Sequence, residues 1–188
     1  MKQQLEEINA MFLLVQDYID PTVEDLEKIT PEEQLEYERN AETYLRIYNA
    51  ALEKYKEAAP NLSPSEIIDG FQEGCRLLQR SLSGRMCYHF DEAYIPIMTE
   101  SIRKNELHTA YLFLQALANH LGTEIKSIAI DSLDSNSVLI RSTALAVVRQ
   151  LGMIDASVKV ESLTRDSSDE VAYLAKQILK EWSGSSAE

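Results

Sequence analysis

Asp134-Ser-Asn-Ser-Val-Leu-Ile-Arg141-Ser-Thr-Ala144-Leu-Ala-Val-Val148-Arg-Gln-Leu151-Gly152 is followed by a second copy of the same pattern. That copy reads Asp166-Ser-Ser-Asp-Glu-Val171-Ala-Tyr-Leu-Ala175-Lys-Gln-Ile-Leu179-Lys-Glu-Trp182. Superposed, Ile140 falls on Val171, Ala144 on Ala175, Val148 on Leu179 and Leu151 on Trp182, always 31 residues apart. Apolar residues at this spacing line one face of a helix. A fixed step of this size is the mark of stacked helical hairpins, in which each pair buries its apolar face against the next. Thr123 and Asp134 frame the first helix of the clearer copy, with Ile125, Ile128, Ala129 and Leu133 facing inward. Gly152 suits the left-handed end of the second helix. Ala156 to Leu163 and Glu170 to Trp182 form the next pair. From Ser183 the chain is polar and is expected to fray.

Working outward, Glu106 to Leu121 has helical spacing and closes on Gly122 after a break at Asn105. Ala116-Leu-Ala118 and Leu121-Gly122 echo Ala144-Leu-Ala146 and Leu151-Gly152, with a gap two residues shorter. Pro96 places another helix at or just before itself, running to about Lys104. Near the start, Leu5, Ile8, Met11, Phe12, Val15, Tyr18 and Ile19 form one stripe that Asp20-Pro21 ends. Thr22 and Asp25 stand in a capping-box relation over a short turn up to Ile29. Thr30-Pro31-Glu32-Glu33 and Ser63-Pro64-Ser65-Glu66 are strong start signals: a hydroxyl cap, a proline at the first helical position and a glutamate three residues after the cap. The first opens a helix to Ala59 with Leu35, Ala41, Leu45, Tyr48, Leu52 and Tyr55 along one side. The second opens a helix ending near Gly84, buried through Ile67, Ile68, Phe71, Cys75, Leu78 and Leu82. Gly70 and Gly74 within it allow close packing. Ser83 to Asp91 is the least helical stretch.

The expected architecture is all-α in one continuous domain. A bundle-like region 1–105 leads into helical repeats 106–182, with a tail 183–188. At 188 residues, 45% hydrophobic and 26% charged, the chain is long enough for a sizeable core and too apolar for disorder. A net charge of −13 speaks against nucleic acid, whose binding needs clustered cations, and against an anionic membrane surface. Residues 1–60 hold 14 acidic and 6 basic side chains, so the first third is where a basic partner would meet the chain. Two cysteines, Cys75 and Cys87, are too few for a disulfide framework. With no signal-peptide plan and no long apolar run, a cytoplasmic location is expected.

Residues 134–152 and 166–182 resemble the HEAT-type repeat, where a turn aspartate precedes an apolar-Arg pair, an alanine and then leucines. Ile140-Arg141-Ser-Thr-Ala144 carries the likeness. The resemblance implies a short right-handed α-solenoid in which Asp134 and Arg141 belong to a structural ladder along the turns. Ala172 stands at the arginine position of the second copy, so the ladder stops there and that copy reads as a terminal cap. HEAT-like folds include glycosylases, which need a basic concave face, and bilin lyases.

Catalytic signatures are missing: there is no phosphate loop, G-x-S-x-G elbow, H-E-x-x-H, or Glu-x-x-His of di-iron bundles. His108 and His120, twelve residues apart, point in different directions around one helix axis. No metal and no cofactor is expected. Cys75, Cys87 and His89 are fewer ligands than structural zinc takes.

The function these features favour is noncatalytic protein binding. Arg149, Tyr173, Lys176 and Lys180 lie off the apolar stripe and make a locally basic strip for another protein's acidic segment. Tyr44, Tyr48 and Tyr55 share a face that serves as a partner site or as a core rim, and they leave a homodimer open. A narrower reading is an acidic inhibitor or immunity-type protein that neutralises a basic toxin or nuclease. The competing class is a small, lyase-like enzyme or ligand-binding protein centred on Arg85, Cys87, Tyr88, His89 and Asp91.

Overall fold

Side-chain caps mark the helix starts at Pro31, Pro64 and Val138. The computed structural model describes residues 3–19, 29–106 and 109–184, and among these every regular element is helical. The capping boxes expected at Thr30 and Ser63 form. The Thr30 hydroxyl accepts from the Glu33 amide at 3.2 Å while Glu33 accepts from the Thr30 amide at 2.8 Å. Ser63 and Glu66 make the same reciprocal pair. Each satisfies donors that a helix start leaves open. By close contacts the chain divides into two compact units, one up to Met86 and one from Cys87. Asn105, where the sequence places its boundary, lies inside the second.

The first unit holds α1 (Gln3–Leu13), α2 (Gln16–Ile19), α3 (Pro31–Ala58), α4 (Pro64–Glu73) and most of α5 (Arg76–Tyr88). The stripe of α1 and α2 packs on α3 and buries Leu5, Ile8, Phe12 and Val15. The single helix expected from Ser63 to Gly84 is two helices. Gly74 turns extended (φ −79°, ψ 159°), and α5 starts afresh two residues later. Side chains from the first two helices satisfy the new start. Asn9 accepts from the Cys75 amide at 2.8 Å, and Gln16 accepts from the Arg76 amide at 2.7 Å. Gly70 does allow close packing, since a methyl group there would stand 2.9 Å from Leu5 and 3.0 Å from Leu82. On α3 the buried side runs through Tyr44, Tyr48, Ala51, Tyr55 and Ala58, whereas Leu35 and Leu45 are exposed. The stripe drawn from sequence was rotated at its start, because large apolar residues weighed more there than tyrosine rings.

The second unit contains α6 (Ile95–Arg103), α7 (Ala110–Leu121), α8 (Lys126–Ser132), α9 (Val138–Gln150), α10 (Ser157–Leu163) and α11 (Asp169–Gly184). Consecutive helices pair as α6 with α7, α8 with α9 and α10 with α11. Across pairs, α7 packs on α9, α9 on α11, and α6 on α8. Ile140, Ala144, Val148, Val171 and Ala175 are fully buried, whereas Leu151, Leu179 and Trp182 of the same pattern are half-buried. Gly122 and Gly152 both take positive φ, and Asn105 does so at the break before α7.

Three local expectations need correcting. Ser83 to Tyr88 is the last part of α5, so only residues 89–91 remain irregular. Thr123 caps nothing: Gly122–Ile125 is a 3-10 turn, and the cap position of α8 is Ile125. The regular part of α7 begins at Ala110 rather than Glu106. Asp20-Pro21, the Thr22 and Asp25 pair, Leu107, His108 and residues 185–188 lie outside the described residues.

Candidate functional site

The basic strip divides between two helices. Arg149 on α9 is held by Glu181 of α11 through two hydrogen bonds of 2.8 and 2.6 Å. Both side chains are about half exposed, so its charge is matched locally. Tyr173, Lys176 and Lys180 all lie on α11, spaced i, i+3, i+7 along one side, and all are exposed. Neither lysine has an ion-pair partner among the described residues. Glu181 went unseen as the partner of Arg149, although its place 32 residues on was the available signal.

More links join successive helical pairs. Gln115 of α7 donates to Gln150 of α9 at 2.9 Å, and Gln150 donates to Asn119 of α7 at 3.0 Å. On the turn side, Arg141 pairs with Asp166 of the next copy, while Asp134 pairs with Lys159 of α10. Lys126 pairs with Asp155. Arg141 and Asp134 are thus both structural, each tied to the following pair and not to each other.

The tyrosine face turns inward. Tyr48 packs on Phe12 with ring centroids 5.9 Å apart, and Tyr44 sits on Tyr18 at 4.9 Å. The Tyr55 hydroxyl donates to the Ser81 carbonyl at 2.8 Å. Tyr44 and Tyr48 therefore form the rim of the first unit's core.

The loop cluster does not converge. Cys87 is part-buried, with its thiol 3.8 Å from the Leu112 carbonyl, and burial pushes its pKa up to about 11. Tyr88 is 88% exposed and His89 is exposed. Asp91 accepts from the Ala93 amide at 2.9 Å and so caps a turn. Arg85 buries its Nε without a hydrogen-bond partner among the described residues. The ring beside this stretch that does find a partner is Phe90, stacked on His120 at 4.2 Å. No group of three metal-ligating side chains occurs among the described residues.

Comparison with protein-family models, with curated proteins and with solved structures finds no match to this chain.

A cleft of about 220 Å³, which the sequence did not signal, opens between the ends of α6 and α8. Arg103, Asn105, Ser127, Asp131 and Asp134 line it with opposed charges. Its floor is pinned by a hydrogen bond from Ser135 to Asn105 and by the hydrogen bond from Arg141 to the Ser135 carbonyl.

Proposed function

We propose that this chain is a noncatalytic protein-binding module whose second unit is a short HEAT-like stack of three helical hairpins. The observation that carries the reading is the serial packing of α7, α9 and α11, bridged by the Gln115, Gln150, Asn119 group and by Arg149 with Glu181. Hairpins stacked in this way present an extended row of second helices, a surface suited to gripping another chain. Tyr173, Lys176 and Lys180 give that row an exposed ring and two cations with no ion-pair partner among the described residues, in a chain of net charge −13.

A second reading, neutralisation of a basic partner, draws on Glu32, Glu33, Glu36, Glu38 and Glu42, all exposed on α3. The enzyme reading gains nothing from Cys87, because a thiol with pKa near 11 is scarcely ionised at neutral pH.

Affinity capture from a lysate of the native host, at low and moderate salt, tests the module. One near-stoichiometric partner, lost from the R149E/K176E/K180E variant, is the expected result. A partner that is basic, lost at moderate salt and indifferent to that variant would transfer the site to α3. An empty capture at both salts would overturn the binding reading.

A further inference from the structure

The repeat register states which side of α11 a following helix would cover. On α9, Arg141, Leu145 and Arg149 are spaced i, i+4, i+8 and so form one line along the helix. Both ends of this line bond carboxylates on the α11 side, Asp166 and Glu181, and Leu145 between them is fully buried. This is the line on which α11 lies. Thirty-one residues on, the same line along α11 is Ala172, Lys176 and Lys180. Beside it, Tyr173 takes the place of Ser142, which is 9% exposed on α9 while Tyr173 is 62% exposed. The geometry that receives a helix on α9 is thus repeated on α11, where Ala172 is buried but Tyr173, Lys176 and Lys180 are exposed with nothing described lying over them.

We infer that this line receives an amphipathic helix of a partner protein, with a carboxylate set over Lys180 as Glu181 is set over Arg149. The inference rests on the protein-binding reading and goes beyond it by naming the partner's secondary structure, its charge and its register. Charge selects the occupant. An apolar helix would bury Lys176 where α9 offers Leu145, leaving an ammonium without water or counterion. A helix with Glu or Asp one turn apart matches Lys176 and Lys180 and leaves the Tyr173 ring to pack on its apolar edge.

The experiment places a photo-crosslinking residue at Tyr173, and separately at Leu45 on α3, in the full chain, followed by irradiation in native host lysate and sequencing of the crosslinked peptide. The expected product from position 173 is a peptide of another protein with helical apolar spacing and acidic residues one turn apart. A synthetic copy of that peptide should bind the unmodified chain and lose at least about tenfold in affinity to K176E/K180E, with Lys replacing its acids restoring binding. A crosslinked peptide lacking that pattern, or affinity indifferent to K176E/K180E, overturns the inference. So does a crosslink to the chain itself, which makes the face a contact between copies. Crosslinks from position 45 alone overturn the docking line yet leave protein binding standing, and no crosslinks from either position remove both.

Discussion

Arg141 grips Asp166 with two parallel hydrogen bonds, Nε to Oδ2 and Nη2 to Oδ1, each 2.8 Å long. The two side chains retain only 11% and 7% exposure. The third guanidinium nitrogen donates to the Ser135 carbonyl, and Asp166 also accepts from the Ser168 amide, both at 2.8 Å. One pair thereby fixes the turn before α9 and the turn before α11. Its planar fork is something lysine cannot reproduce.

Replacing Arg141 by Ala should cost about 2–4 kcal/mol of unfolding free energy, because it strands a nearly buried carboxylate. Arg149→Ala is the control. Its partner Glu181 is half exposed and would be resolvated, so the loss should stay under about 1 kcal/mol. Chemical denaturation of the two variants measures both. Equal losses would mean that the turn-side pair holds nothing that the outer pair does not.

Acid should act through the same group. The Arg141 hydrogen bonds hold the Asp166 carboxyl below its ordinary value near 3.8. A carboxyl whose folded pKa is depressed adds stability that is present above its unfolded pKa and lost as pH falls towards the folded one. The stability of the native chain should therefore drop below about pH 4, and D166N, weaker throughout, should lose that part of the slope. An unchanged slope in D166N would place the acid sensitivity on other carboxylates.

Two glycines should respond oppositely to alanine. A methyl group at Gly74 would stand 2.4 Å from the Gly70 carbonyl oxygen and 2.9 Å from Leu78, so the break between α4 and α5 has no room for it. Gly84 lies inside α5 with nothing within 4 Å of such a methyl. Gly74→Ala should destabilise by about 1–3 kcal/mol, and Gly84→Ala should stabilise by about 0.5–1 kcal/mol through helix propensity. Thermal melts of both variants decide it, and a tolerated Gly74→Ala would contradict the close approach.

Local rules made much of this legible in advance. Thr30-Pro31 and Ser63-Pro64 announced their helices because a capping box is complete within four residues. The 31-residue step likewise picked out Ile140, Ala144, Val148, Val171 and Ala175, which are fully buried, whereas Leu151, Leu179 and Trp182 on the same step are half-buried. What escaped the reading depended on partners distant in sequence. Asn9 and Gln16 start α5 from about sixty residues away, so Gly74 was the sole local hint of the break between Ser63 and Gly84. Tyr44 and Tyr48 stood between partner site and core rim until Tyr18 and Phe12 were set against them. Arg149 read as an open cation because Glu181 lies 32 residues further on.

Thiol chemistry offers a direct test of the loop as a site. A reactive cysteine needs a depressed pKa beside a cation or a helix N-terminus. Cys87 has the reverse: it sits in the last turn of α5, and burial pushes its pKa up to about 11. At pH 8 only about one thiol in a thousand is then ionised. Cys75 is shifted upward too, by burial. Both should react with a chromogenic disulfide at least tenfold more slowly in the native chain than in denaturant, with a native rate still climbing above pH 9. Rapid, stoichiometric modification of Cys87 at pH 7 would mean an ionised sulfur that this packing does not permit, and the stretch from Arg85 to Asp91 would return as a centre of chemistry.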